Sequence, residues 1–354
     1  MTDIYLAGRG LASALGPDLT QAVLALRRGE LAPRSFEVTP GHRTPYFAMP
    51  PSSEDWHSRA RRLVIDAAAE SGAMAARDGA LFLASTSFDM GVRELGDPFD
   101  LDVAFVGEMV AEWLAWRGPV FTVCTACTSA LNALMSGAAL VRAGDVDSAL
   151  VLGFELANHL TIGGFHAMQL LSAHPPQPLG AARGGLVLGE AVAALHLSRE
   201  PSRWRLAGGA NVVDSSDPAG AVAGAVVDMC RQALASSGLQ PAQIDLVKLQ
   251  AAGSGLNDAT ELAGLRQVFD DLPPVLSLKA LLGHSLGAAG AAEIALLTAC
   301  IEADLWPTPA YALDPALQAS WARQAPPRLR HILATILGSG GGHTAVVLED
   351  TAAR

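Results

Sequence analysis

The order of elements predicted by the hydrophobic pattern is written twice along this chain, and no other feature of its 354 residues restricts the fold as much. The opening IYLAGRGLASALG reads as an apolar strand ending in small residues, followed by a short helix over 18–28. Helical spacing returns at Trp56, Leu63, Val64, Ala67 and Ala68 within residues 56–77, and ALFLAS (80–85) reads as a buried strand. PVFTVCTACTSALNALMSGAALVRAG then gives strand, turn and helix, closed by Gly144, and DSALVLGFE and GLVLGEAVAALHL give two further strands. After a seam near residues 200–211 the order resumes. A helix over 221–236 leads to the strand and turn DLVKLQAAGSG and a helix over 258–269. The strand–turn–helix PVLSLKALLGHSLGAAGAAEIALLTACIEA and the strands ILATILGSGGG and HTAVVLE complete it. The repeat predicts an α/β protein made by internal duplication, with halves 1–205 and 206–354 packed as one unit. Alternating strands and helices predict parallel pairing within each half, with helices on both faces. Residues 29–55, rich in Pro and Gly, read as an exposed loop.

Composition narrows the function classes. Half the residues are hydrophobic and only 5% aromatic, so small aliphatic side chains fill the core. The net charge of −11 gives nucleic acid no overall electrostatic attraction. Residues 118–141 carry no charge and are long enough to span a bilayer, but three threonines, two serines, Asn132 and two cysteines argue for a segment buried in protein. The N-terminus has Asp3 and no basic, apolar leader, and the four cysteines are too few for a disulfide framework; both point to a cytoplasmic protein.

Two small-residue turns carry the chemistry. Cys127 sits where a strand ends and a helix begins, so the positive helix end favours a thiolate able to take an acyl group from a thioester. An inert buried cysteine is the alternative. Cys124 and Cys127 form a CxxC, but no second pair follows and the histidines show no ligand spacing, so neither a metal nor a cofactor is expected. His284 opens the matching helix of the second half, five residues after Lys279. A neutral imidazole there donates well to a thioester carbonyl, although a capping role would also account for it. Gly283, Gly287 and Gly290, interspersed with alanines, allow another backbone to come close. GHSLG around Ser285 also spells the G-x-S-x-G elbow of serine hydrolases. Lys279 and two leucines interrupt the strand such an elbow needs, and His331, His343 and Asp314 are unmarked as triad partners.

Together these residues resemble the β-ketoacyl synthases, the thiolase-fold condensing enzymes of fatty acid and polyketide assembly. The likeness rests on TACTS around Cys127, RAGDVDSALVLG, PLGAARGGLVLGEA (178–191), KALLGHSLGAAG (279–290) and GSGGGHTAVVL. NHLTIGGFHAMQLLS (158–172) looks most like the synthases of aryl-polyene clusters. The resemblance implies a five-layered αβαβα thiolase fold and a homodimer or heterodimer pairing through central sheets, with acyl groups arriving on acyl carrier protein. It also implies that Cys127 holds the acyl chain, that His284, supported by Lys279, polarises the malonyl thioester, and that the N–H groups of Cys127 and Ser339 form the oxyanion hole.

The chain departs from that pattern where an elongating synthase reads HGTGT. Here Ala252 replaces a histidine. Losing one such donor slows decarboxylation by roughly a hundredfold, at about 3 kcal/mol, while acylation of Cys127 survives. Ser339 stands in place of a gating phenylalanine, His343 in place of asparagine, and Gly180 and Gly184 in place of aspartates. The expected activity is acyl transfer onto Cys127 with impaired condensation. The alternatives are a chain-length-factor-like partner subunit, a class that commonly loses the cysteine, and a hydrolase using Ser285. Asn257 and His343 are candidates to replace the missing donor. Arg59, Arg61 and Arg62, with Arg27 and Arg28, form the densest basic cluster and would meet an acidic carrier protein.

Overall fold

The computed structural model describes residues 2–29, 33–96, 103–216 and 220–353. The first half runs β1 (Tyr5–Ser13), α1 (Leu19–Arg28), β2 (Arg34–Thr39), β3 (His42–Phe47), α2 (Trp56–Glu70), β4 (Ala80–Ala84) and α3 (Met90–Arg93). It continues through α4 (Val103–Leu114), β5 (Val120–Val123), α5 (Ser129–Ala143), β6 (Ser148–Glu155), α6 (His159–Ala167), β7 (Leu188–Gly189) and β8 (Ala191–Ser198). The second half runs β9 (Trp204–Val213), α7 (Ala223–Ser237), β10 (Leu246–Lys248), α8 (Asn257–Leu265) and β11 (Val275–Leu276). It closes with α9 (Lys279–Leu282), α10 (Ala289–Glu302), β12 (His331–Leu337) and β13 (Gly342–Asp350). The helix ends follow local chemistry: Asp18, Asp55 and Asn158 cap α1, α2 and α6, and Gly29, Gly144 and Gly238 end α1, α5 and α7 in the left-handed conformation.

The duplication is visible in the strand order. From the outer edge inward the first half reads β5-β4-β6-β8-β1 and the second β11-β10-β12-β13-β9. Counting only the strands of this ten-stranded sheet, the order within each half is third, second, fourth, fifth, first. The halves meet where Tyr5 of β1 faces Arg205 of β9 and the Leu206 N–H donates to the Ile4 carbonyl at 2.8 Å. Helices α2 and α4 cover the outer face of the first half, and α7 and α8 that of the second. Helices α5 and α10 pack against each other between the two halves, α5 reaching β6 and β13 and α10 reaching β6 and β8. The result is five layers, with α5 and α10 in the middle one.

Glycines permit that middle layer. A Cβ on Gly290 would lie 2.8 Å from the Leu131 side chain, and one on Gly287 would lie 2.6 Å from the backbone of Ser85 and Thr86. Overpacking of this kind costs about 1–3 kcal/mol.

Two expectations need correction. In the ten-stranded sheet pairing is parallel only among β4, β5 and β6 and among β10, β11 and β12; β8 and β13 run antiparallel to both their neighbours. For β12 and β13 the cause is the short link at residues 338–341, which can join only antiparallel strands. Residues 29–55 are not simply loop. A hairpin, β2–β3, turns at Pro40-Gly41 and joins β7 in a three-stranded side sheet, burying Val38, Thr44, Tyr46 and Phe47. The prolines hid the alternation; residues 30–32 of that segment lie outside the described residues. Three elements are also shorter than their patterns predict, with α2 ending at Glu70, α8 at Leu265 and β11 spanning only Val275–Leu276. Among the described residues no helix is long and apolar enough to cross a membrane.

Candidate active site

Cys127 and His284 come from topologically equivalent places, each after the third strand of its half and before a middle-layer helix. The Cys127 turn is tight. Ala126 adopts φ 51°, a left-handed conformation that an alanine holds only when its surroundings impose it. The Ser129 hydroxyl accepts from the Thr125 N–H at 2.9 Å, and the Thr128 hydroxyl donates to the Thr125 carbonyl at 2.6 Å. Asn132 of α5 donates to the Thr125 hydroxyl and accepts from Asn211 of β9 and Thr344 of β13, so the second half braces the turn.

His284 is held by the segment 178–191. Its N–H donates to the Val187 carbonyl at 2.7 Å, and its carbonyl accepts from the Gly189 N–H at 3.1 Å. Gly283 makes this possible at φ 68°, because a Cβ there would lie 2.7 Å from the Leu188 oxygen. The buried Glu155 carboxylate accepts from the Thr86, Ser87 and Gly287 N–H groups and from the Ser87 hydroxyl, stitching the turn after His284 to the first half. The outcome is a Cys127 Sγ to His284 Nε2 separation of 3.1 Å with both side chains buried.

Burial opposes the thiolate expected at the helix end. Burial pushes the Cys127 thiol up to about 11, more than the Ser339 N–H on the sulfur, the nearby Lys279 charge and its own N–H can offset. Burial, then the Lys279 and Lys248 charges, holds His284 well below the ordinary histidine range. The resting pair is therefore a thiol beside a neutral imidazole. The two backbone N–H groups expected to form an oxyanion hole, those of Cys127 and Ser339, both act on the sulfur.

Lys279 does not touch His284. Its ammonium pairs with one oxygen of the buried Glu293, and Lys248 pairs with the other at 2.5 Å while donating to the Thr335 carbonyl at 2.8 Å. Burial works against the Glu293 charge, but the two lysines outweigh it and hold the carboxyl below its usual range. Burial, joined by the Lys279 charge, lowers Lys248 against the opposing pull of Glu293. Sequence reasoning missed both Lys248 and Glu293, although a signal existed: Lys248 and Lys279 are the only lysines in the chain, and Glu293 interrupts an apolar helix.

Cys127 and His284 open onto one cavity of about 50 Å³, lined also by Phe165, Gln250, Asn257 and Ser339. A smaller neighbouring cavity of about 40 Å³ lies against Ala252 and shares Gln250 and Asn257. Asp258 accepts from the Leu179, Ala252 and Gly253 N–H groups and shapes this turn. Of the two candidate replacements for the missing histidine, Asn257 reaches the cavity and His343 does not line it. His343 is buried on β13, and neither ring nitrogen has a hydrogen bond among the described residues. Gln250 was not anticipated.

The remaining candidates separate. Ser285 is buried after helix α9 and not at a strand end, while His331 bonds Gln243 and Asp314 pairs with Arg183, leaving no triad. Two arginines of the basic cluster are neutralised by acidic partners. Arg59 is clamped by both oxygens of Glu190, at 2.9 and 3.0 Å, and Arg62 pairs with Glu54. Arg27 donates to the Ala303 carbonyl, and Arg61 is exposed. Cys124 is exposed and Cys127 buried, so the CxxC sulfurs occupy different environments. Among the described residues no group of three acidic, histidine or cysteine side chains could hold a metal.

Family comparisons agree with this arrangement. Residues 83–202 match the N-terminal domain of β-ketoacyl synthases and residues 208–311 the C-terminal domain. A putative polyketide β-ketoacyl synthase 1 from Streptomyces cyaneus is 31% identical over 271 residues, 69% of this chain and 64% of that protein. The match thus spans under two-thirds of the relative's length. Among solved structures, a ketosynthase in complex with its chain length factor from Xenorhabdus doucetiae superposes with a TM-score of 0.85 and 27% identity, covering 99% of this chain and 98% of that one. A type II polyketide acyl-carrier protein in complex with its ketosynthase bound to a hexaketide gives 0.84 at 18% identity, covering 99% and 100%, which bears on the fold alone. With the duplicated strand order, the five layers and both turns in place, the chain belongs to the β-ketoacyl synthase family and has its thiolase fold.

Proposed function

We propose that this protein is a β-ketoacyl synthase-type acyltransferase that accepts an acyl chain from acyl carrier protein onto Cys127 in the cytoplasm. The halves 1–205 and 206–354 would contribute the nucleophile and the His284–Lys279 pair respectively. The 3.1 Å approach of Cys127 Sγ to His284 Nε2 inside one cavity carries the reading. As sulfur attacks the thioester carbonyl, its proton passes to the neutral imidazole. The tetrahedral oxygen gathers charge beside the Cys127 and Ser339 N–H groups, and collapse expels the carrier thiol, which takes the proton back. Burial, with the Lys279 and Lys248 charges behind it, keeps His284 unprotonated before each turnover, so it is ready to accept that proton. Condensation is slower, because Ala252 leaves the malonyl carbonyl without a second imidazole.

A second reading, a partner subunit that shapes the tunnel of a complete synthase, is favoured by Ala252 and by the open edge strand. β5 has one sheet neighbour, β4, and exposes Phe121, so a second subunit, alike or different, would extend the sheet there. Membership in an aryl-polyene cluster is the finer form of either reading. Carrier docking would fall to Arg61 and Arg27 more than to Arg59 and Arg62, whose charges are already met. The deciding experiment incubates the protein with acyl carrier thioesters and weighs the Cys127 peptide. An acyl adduct that disappears in Cys127→Ala supports acyl transfer; an unmodified wild-type peptide removes it and leaves the partner reading.

A further inference from the structure

The cavity of Cys127 holds one polar side chain that neither the mechanism above nor the sequence motifs use. Gln250 is 7% exposed, and its side-chain carbonyl oxygen is buried without a hydrogen-bond partner among the described residues. Its backbone is fixed: the Gln250 and Ala251 N–H groups donate to the two oxygens of Glu261, each at 2.8 Å, and the Ala251 carbonyl accepts from the Ser277 hydroxyl at 2.6 Å. A buried amide with an unmet polar atom, on a rigid backbone and facing a cavity, is arranged for a partner that arrives with substrate. The other amide there, Asn257, is only half-buried and has solvent to satisfy it.

We infer that Gln250 supplies the second hydrogen bond to the extender thioester, in place of the imidazole absent at Ala252. Gln250 and Ala252 stand two residues apart after β10 and both line the smaller cavity, but only Gln250 also lines that of Cys127 and His284. The carboxamide can turn over about its last bond to aim its NH₂ at the carbonyl oxygen. In decarboxylation the bond between the malonyl carboxylate and the adjacent carbon breaks and CO₂ leaves. The electron pair moves into the enolate, and its negative oxygen receives one hydrogen bond from His284 and one from Gln250. Without an acyl group on Cys127, the enolate carbon takes a proton from water and becomes an acetyl thioester.

This inference rests on the acyltransferase reading, and the test separates the two. Malonyl carrier thioester is incubated with wild type, Gln250→Leu and Gln250→Glu, and acetyl carrier and the Cys127 adduct are both followed by mass spectrometry. In Gln250→Leu the ratio of decarboxylation to acylation falls about a hundredfold. In Gln250→Glu decarboxylation is retained at low pH and lost as pH rises, because the ionised carboxylate can no longer donate. An unchanged ratio in Gln250→Leu, or a Gln250→Glu profile parallel to wild type, overturns the inference. Wild type that never decarboxylates also overturns it, and a Cys127 adduct in the same sample then leaves the acyltransferase reading intact.

Discussion

The turn after β5 and the turn after β11 hold the same place in two copies of one topology, yet they are built differently. The first passes from Val123 to Ser129 in a few residues and forces Ala126 into a left-handed conformation to raise the Cys127 sulfur. The second is longer and inserts α9, which brings Lys279 to Glu293 before His284 appears. A nucleophile needs one atom held at a fixed point, and a strained elbow does this. A hydrogen-bonding imidazole needs a tuned electrostatic setting, which takes additional chain to supply the charges. The asymmetry also locates the family departure. Cys127 lies in the first half, and Ala252, where the resembled pattern has a histidine, lies in the second.

Restoring that donor gives the largest expected effect. In a Gln250→Leu background, Ala252→His should raise malonyl decarboxylation by about a hundredfold, read as acetyl carrier formed per minute. No gain there would mean that a side chain at position 252 does not reach the extender carbonyl. Next is the state of the elbow itself. With the thiol pushed up to about 11, alkylation of Cys127 by iodoacetamide should accelerate about tenfold per pH unit between pH 7 and 10. A rate that levels off below pH 8 would show a stabilised thiolate and make the two turns electrostatically more alike. The smallest effect concerns the second turn. Lys248→Met removes one of the charges that disfavour His284 protonation, so the acid limb of the acylation profile should move to higher pH. An unmoved limb would leave burial and Lys279 as the whole cause.

The strand–turn–helix repeat, the apolar strands and the small-residue helices were legible because each rests on local pattern. Cys127 and His284 stood out for the same reason, being placed at helix starts in low-complexity turns. The protonation state of Cys127 was not legible. A helix end next to a cysteine suggests a thiolate, but how deeply the sulfur is buried depends on residues as distant as Ser339 and His284, and burial dominates. The ion pairs of the basic cluster were not legible either. Arg59, Arg61 and Arg62 look alike in sequence, whereas Glu190, far along the chain, meets the first and Glu54 the third. Gln250 carried no motif, and only the cavity it shares with Cys127 singles it out.

Periodicity and residue size by themselves determined the duplicated α/β architecture, since helices and strands form from neighbours a few residues apart and glycine positions decide how closely layers approach. Tertiary structure decided the chemistry: which charges oppose each other, which side chains lose water and which amide is left unpaired. Those quantities depend on distances across a three-dimensional interior between residues separated by a hundred positions or more, such as the 157 between Cys127 and His284.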